Sequence, residues 1–227
     1  MDTPKRKLKG IAGALIAIVI LAGLIVWSRY SARAGISAHS TVPDTLPGIN
    51  TTEPPGGPEL IHLAERLKKI GLPALTEEGT VLHIHQHLDI YIAGTHVPVA
   101  SGIGVHAAAG FISPIHTHDD TGIIHVESPT VETFTLGQFF DVWGERFTAD
   151  CISMFCSSGD RTLKVFVNGN LYVGDPRAII LSPHEEIVVT FGRANELPYR
   201  VYIAWLYPCR RSAEYRRRLE MLPQPGL

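Results

Sequence analysis

The chain has no Gly-x-Ser-x-Gly elbow, no phosphate-binding Gly-x-x-x-x-Gly-Lys loop and no Gly-x-Gly-x-x-Gly fingerprint. Those absences leave no motif for a serine nucleophile on a strand-helix elbow, a P-loop or a dinucleotide site. Charge is also sparse. Asp, Glu, Lys and Arg make up 19% of the 227 residues and the formal net charge is −2, so the chain has no overall basic field to attract nucleic acid. Beyond the first ten residues, positive charge gathers near the C-terminus, at Arg193, Arg200, Arg210, Arg211 and Arg216 to Arg218. There Glu196, Glu214 and Glu220 interrupt it, as on a solvated helix.

Cysteine is scarce, with three residues in all. Cys151 and Cys156 are close enough to close a small disulfide in an oxidising compartment. With Met154 they also make a soft donor set that suits Cu(I). Cys209 is left over, as a free thiol, a lipidated one or one paired between chains.

What the chain does contain is a targeting signal. Lys5, Arg6, Lys7 and Lys9 precede an uncharged run from Gly10 to Trp27. At helical rise that run covers about 27 Å, close to a hydrocarbon core. Residues 1–34 are expected to form a cytoplasmic basic flank and an uncleaved transmembrane anchor, with Trp27 and Tyr30 at the far interface. The competing reading is a signal peptide cut near Ala32-Arg33-Ala34. Both readings place the remainder outside the cytoplasm, and the anchor reading makes this a single-pass protein of the cell membrane.

Residues 35–58, rich in Pro, Gly, Ser and Thr, read as a linker. Residues 59–192 then read as a β-rich extracytoplasmic domain and 193–227 as a basic extension. Leu60, Leu63, Ala64, Leu67 and Ile70 form a helical stripe that Gly71 ends. From Val81 the period becomes two. Ala93-Gly94 and Asn168-Gly169 are hairpin turns, and LKVFVNGNLYV (163–173) resembles LDIYIAGTHVP (88–98) at an offset of 75. Two explanations compete, a duplication or two hairpins with similar demands. Thr135 is placed to cap a short helix over 136–143, and 185–192 reads as a core strand. The expected fold is α+β and β-rich: antiparallel hairpins in a sheet or sandwich, one short packed helix, and a preceding transmembrane helix.

Six of the eleven histidines fall in two groups with strand spacing: His83, His85 and His87, then His116, His118 and His125. Alternate strand residues share a face, so each His-x-His aligns two imidazoles. For the second group, hydrophobic matching selects the register in which Ile115 pairs with Val126 and His116 faces His125. That gives three histidines on one face with Glu127 beside them. All six histidines are candidate ligands for a divalent transition metal, zinc or copper. Glu127 and Asp89 are weaker candidates for a catalytic base. Asp119 and Asp120 read as turn residues or as acceptors for ligand imidazoles. His106 is an outlying candidate, and His39, His62 and His184 carry no pattern.

The leading expectation is a membrane-anchored extracytoplasmic metal-binding protein. The alternatives are a metalloenzyme with an open three-histidine site and a non-metal envelope scaffold, and a polar or pH-responsive histidine surface remains open. Binding should weaken below about pH 6, where free imidazole protonates. His116 and His118 lie off the apolar face, so replacing both should spare the fold.

Overall fold

The computed structural model describes residues 45–196. The expected anchor, His39, Cys209 and nearly all of the basic extension lie outside them. No helix of the described residues is long and apolar enough to cross a membrane.

Helix α1 (Leu63–Ile70) buries Leu63 and Leu67 and ends at Gly71, whose left-handed backbone (φ 76°) lets its N–H bond to the Leu67 carbonyl. A glycine in that position is the ordinary helix stop. The strands then follow in order. They are β1 (Leu82–Ile92), β2 (Thr95–Val97), β3 (Val105–His106), β4 (Phe111–Ile112), β5 (Ile115–His116) and β6 (Ile123–Ser128). Helix α2 (Leu136–Trp143) precedes β7 (Cys151–Ile152), β8 (Phe155–Cys156), β9 (Thr162–Val167), β10 (Asn170–Leu171) and β11 (Glu186–Gly192).

Seven strands form one sheet in the order β10-β9-β11-β1-β6-β5, with β2 beside β1; β3–β4 and β7–β8 are separate ribbons. Both expected hairpins occur. Ala93 and Gly94 (φ 49° and 81°) and Asn168 and Gly169 (φ 50° and 76°) turn with positive φ throughout, the geometry that matches strand twist. Ile92 pairs with Thr95 and Val167 with Asn170, so the two hairpins share one register at the offset of 75.

The sheet is mixed rather than purely antiparallel. β1 runs parallel to β11, with Leu88 opposite Ile187 and Ile90 opposite Val189. A parallel pair cannot be closed by a tight turn, and here the whole middle of the chain makes the crossover. β1 is also divided lengthwise: its first half pairs with β6 and its last three residues with β2.

One face of the sheet carries Leu88, Ile90, Ile124, Val126, Ile187 and Val189, all buried in a single core with Phe139, Phe140 and Trp143 of α2. Burying each such side chain is worth about 1.5–3 kcal/mol. Helix α2 begins at a capping box: Thr135 Oγ1 accepts from the Gln138 N–H (3.3 Å) and Gln138 Oε1 from the Thr135 N–H (2.9 Å). Its other end is closed by Arg66, fully buried, which donates to the Asp141 and Val142 carbonyls (2.7 and 3.1 Å).

Part of the stretch read as a linker is packed against this helix end. Leu46 is buried, the Asn50 N–H donates to the Gly144 carbonyl (2.8 Å), and Trp143 Nε1 donates to the Gly56 carbonyl (3.0 Å). Proline and glycine exclude regular secondary structure there but not contact, because backbone groups can bond to a neighbouring element instead.

Candidate metal centre

Strand β6 is the middle of the site. Its alternation puts His125 and Glu127 on the face opposite the core. β1 lies on one side of it, with His83 opposite Glu127 and His85 opposite His125. β5 lies on the other, with His116 opposite His125 and Ile115 opposite Val126. That is the register selected by apolar matching in the sequence. His118 follows two residues after His116. Three adjacent strand segments thus each supply a pair of donors at i and i+2.

Two sets of side chains bring their donor atoms within 4.8 Å of one another and can hold a metal ion. One is His83, His85, His125 and Glu127; the other is His116, His118, His125 and Glu127. Within each histidine pair the Nε2 atoms are close, 3.0 Å for His83 and His85 and 3.2 Å for His116 and His118. Donors about 2.0–2.1 Å from a tetrahedral ion are about 3.3–3.4 Å apart, so each pair is already near the spacing of one coordination edge. Glu127 is buried. Its Oε1 lies 3.1 Å from His83 Nε2 and 3.2 Å from His125 Nδ1, and its Oε2 lies 3.9 Å from His116 Nε2.

The floor of the site is dry and its rim wet: the His116 side chain is 0% exposed, those of His83 and His118 54% and 46%. His116 Nδ1 donates to the Ser113 carbonyl (3.0 Å), which fixes the tautomer and leaves Nε2 with a lone pair facing the other ligands. This full burial corrects the expectation that His116 and His118 could both be removed without cost to the fold. The His116 ring fills space that an alanine would leave empty.

Burial, reinforced by the neighbouring imidazoles, pushes His116 down to about 3 and His125 down to about 4. His85 is lowered for the same reasons. His116 and His125 stay neutral well below pH 6, so proton competition at them begins lower than free imidazole implies. A stability change follows. Below about 6.5 the unfolded chain takes up protons that folded His116 and His125 refuse, so the ion-free protein loses stability from about pH 6.5 toward 4. Urea midpoints in the presence of a chelator should fall between pH 7 and pH 5. An unchanged midpoint would mean that these rings are not buried neutral.

His87 goes elsewhere. Its Nε2 lies 2.9 Å from the Thr121 carbonyl and its Nδ1 3.0 Å from Glu186 Oε2, with Asp89 at 3.9 Å. Both nitrogens face acceptors, so the ring serves as a double donor. Burial pulls its pKa down, but Glu186, Asp89 and the carbonyl outweigh that and raise it to about 9. It joins neither ligand set. Asp89 lies further along the same face of β1 and joins neither set, accepting from His96 Nε2 (3.1 Å). Gly122 (φ 84°) starts the return into β6, where a Cβ would lie 2.4 Å from the Leu88 carbonyl, so only glycine fits.

Asp119 accepts from the Thr121 N–H (2.9 Å), the turn role. His106 Nδ1 accepts from the Ala109 N–H (3.3 Å), His62 pairs with Glu59, and the His184 N–H donates to the His85 carbonyl (2.7 Å); none of the three joins a ligand set. Cys151 and Cys156 form a disulfide, which removes their thiolates as soft ligands. Glu78 was not singled out in the sequence. It lies in a loop with no periodicity, yet its carboxylate stands 3.5 Å from His118 Nε2 at the rim.

No protein-family model, curated protein or solved structure matches the chain.

Proposed function

We propose that the chain is a membrane-anchored, extracytoplasmic protein that binds a divalent transition metal, zinc or copper, and handles it by carrying, buffering or sensing it. The observation that carries this reading is the pair of three-histidine, one-glutamate sets, each with its donor atoms within 4.8 Å. Imidazole with one carboxylate suits zinc and copper(II) better than calcium or magnesium, which prefer oxygen donors. The basic flank and apolar run before residue 28 support the anchor, and the Cys151–Cys156 disulfide fits an oxidising compartment.

A set of four side chains fills a tetrahedral shell, which favours holding an ion over catalysis. The enzyme alternative requires an open position, so the number of ions per chain bears on the choice. The test is metal analysis of the full chain in detergent, stripped and reloaded with zinc or copper(II) at about pH 7.5, roughly one unit above the imidazole pKa. The expected result is at least one retained ion per chain and a higher melting temperature. No retained ion and no thermal shift would leave a polar histidine surface as the better account. A C-terminal reporter active only in the cytoplasm would overturn the topology.

A further inference from the structure

Six imidazole and carboxylate side chains are too many for one ion and are not arranged around one. The two ligand sets share only His125 and Glu127; the pairs His83/His85 and His116/His118 belong to different sets. They stand on opposite flanks of β6. A single four-coordinate ion would therefore leave one close imidazole pair idle.

The buried carboxylate between the pairs is also oriented for both. Glu127 Oε1 faces His83 and His125 and Oε2 faces His116. The His125 ring is centred 4.4 Å from the His85 ring and 4.4 Å from the His118 ring, so it can serve on either side.

We infer that the cluster is a binuclear metal centre, with His83 and His85 on one ion, His116 and His118 on the other, and the Glu127 carboxylate bridging them. This deepens the metal-binding reading and rests on it. A carboxylate bridge sets two ions roughly 3.5–4 Å apart, as in two-metal hydrolytic centres. With two ions sharing the donors, at least one keeps only three protein ligands and an open position. One bridging carboxylate neutralises a small part of two divalent charges. The open positions thus favour hydroxide or another oxygen anion, and the exposed rim at His83 and His118 gives it entry. A two-ion centre moves the balance toward hydrolytic chemistry, in which a metal-bound water would lose its proton to solvent at the exposed rim and supply hydroxide as the nucleophile.

The experiment counts ions on the full chain and on variants. With zinc, the wild type should retain two ions per chain. His83→Ala/His85→Ala, which removes two side chains from the rim side, should retain one. A His118→Ala variant should lose one ion or bind it at least tenfold more weakly, and its burial-sparing position separates ligand loss from unfolding at His116. With copper(II), the wild type should show an electron paramagnetic resonance signal broadened or quenched by coupling between two close ions. The His83/His85 variant should show one isolated signal. Saturation of the wild type at one ion, or two ions with uncoupled signals, would overturn the binuclear centre and leave metal binding standing. No ion in the wild type would overturn both.

Discussion

Replacing His125 with alanine is expected to weaken metal binding by at least about a hundredfold. His125 is the one histidine common to both ligand sets. Loss of a residue that only orients a ligand costs about 10–100-fold in affinity, and loss of a ligand itself should cost no less. The side chain is partly exposed at 20% and lies opposite the core face, so its removal leaves the Ile124 and Val126 packing of β6 in place. Replacing His87 is the matched control. It neighbours His85 in the same strand but bonds to Thr121 and Glu186, so affinity should stay within a few-fold while the apo-protein is destabilised at neutral pH. Competition titration against a chromophoric chelator measures both. Equal losses in the two variants would mean that the centre is not built around β6.

The largest effect on stability is expected at Arg66. Its guanidinium is fully buried and satisfies five acceptors at once. These are the Asp141 and Val142 carbonyls at the end of α2, the Pro47 carbonyl at 3.1 Å, and the carboxylate and main-chain carbonyl of Glu59. Burial pushes the Glu59 carboxyl up, yet its bonds to Arg66 and His62 hold it below the ordinary range. Removing one partner of such a pair leaves the other charge uncompensated and costs about 3–5 kcal/mol. The orphaned carbonyls at the helix end add to this. At about 2–4 °C per kcal/mol for a domain of this size, Arg66→Ala should melt roughly 10 °C lower. Arg66→Met, which restores volume but not donors, should recover little of it. A shift under about 3 °C for alanine would show that water replaces the guanidinium.

Much of this was legible in the chain. The β5–β6 register could be read because Ile115 and Val126 must both reach the core, which forces His116 against His125. Helix α2 announced itself through Thr135 and the apolar Phe139, Phe140 and Trp143. Pairings between distant segments left no local signal. The parallel contact of β1 with β11 brings Glu186 to His87 across 99 positions, and strand alternation alone assigned that histidine to the ligand face. Alternation also gives a face without its depth. It put His116 among polar neighbours but could not show that the ring is sealed there. The burial of Arg66 left no local signal either, since its carbonyl acceptors come from a helix 75 residues on.

The ends of the sheet bear on how copies of the chain behave when crowded. β5 has two residues, and its outer side is taken by the preceding loop. The Thr117 N–H donates to the Ile103 carbonyl (3.1 Å) and the Gly102 N–H to the Thr117 carbonyl (3.1 Å). At the other end β10 also has two residues, and β2 has three before Pro98, which has no N–H to offer. Long unpaired strand edges are the template on which proteins zip together and aggregate. Among the described residues this sheet ends in short or covered strands, so molecules at high local concentration have little open backbone through which to extend one sheet into the next.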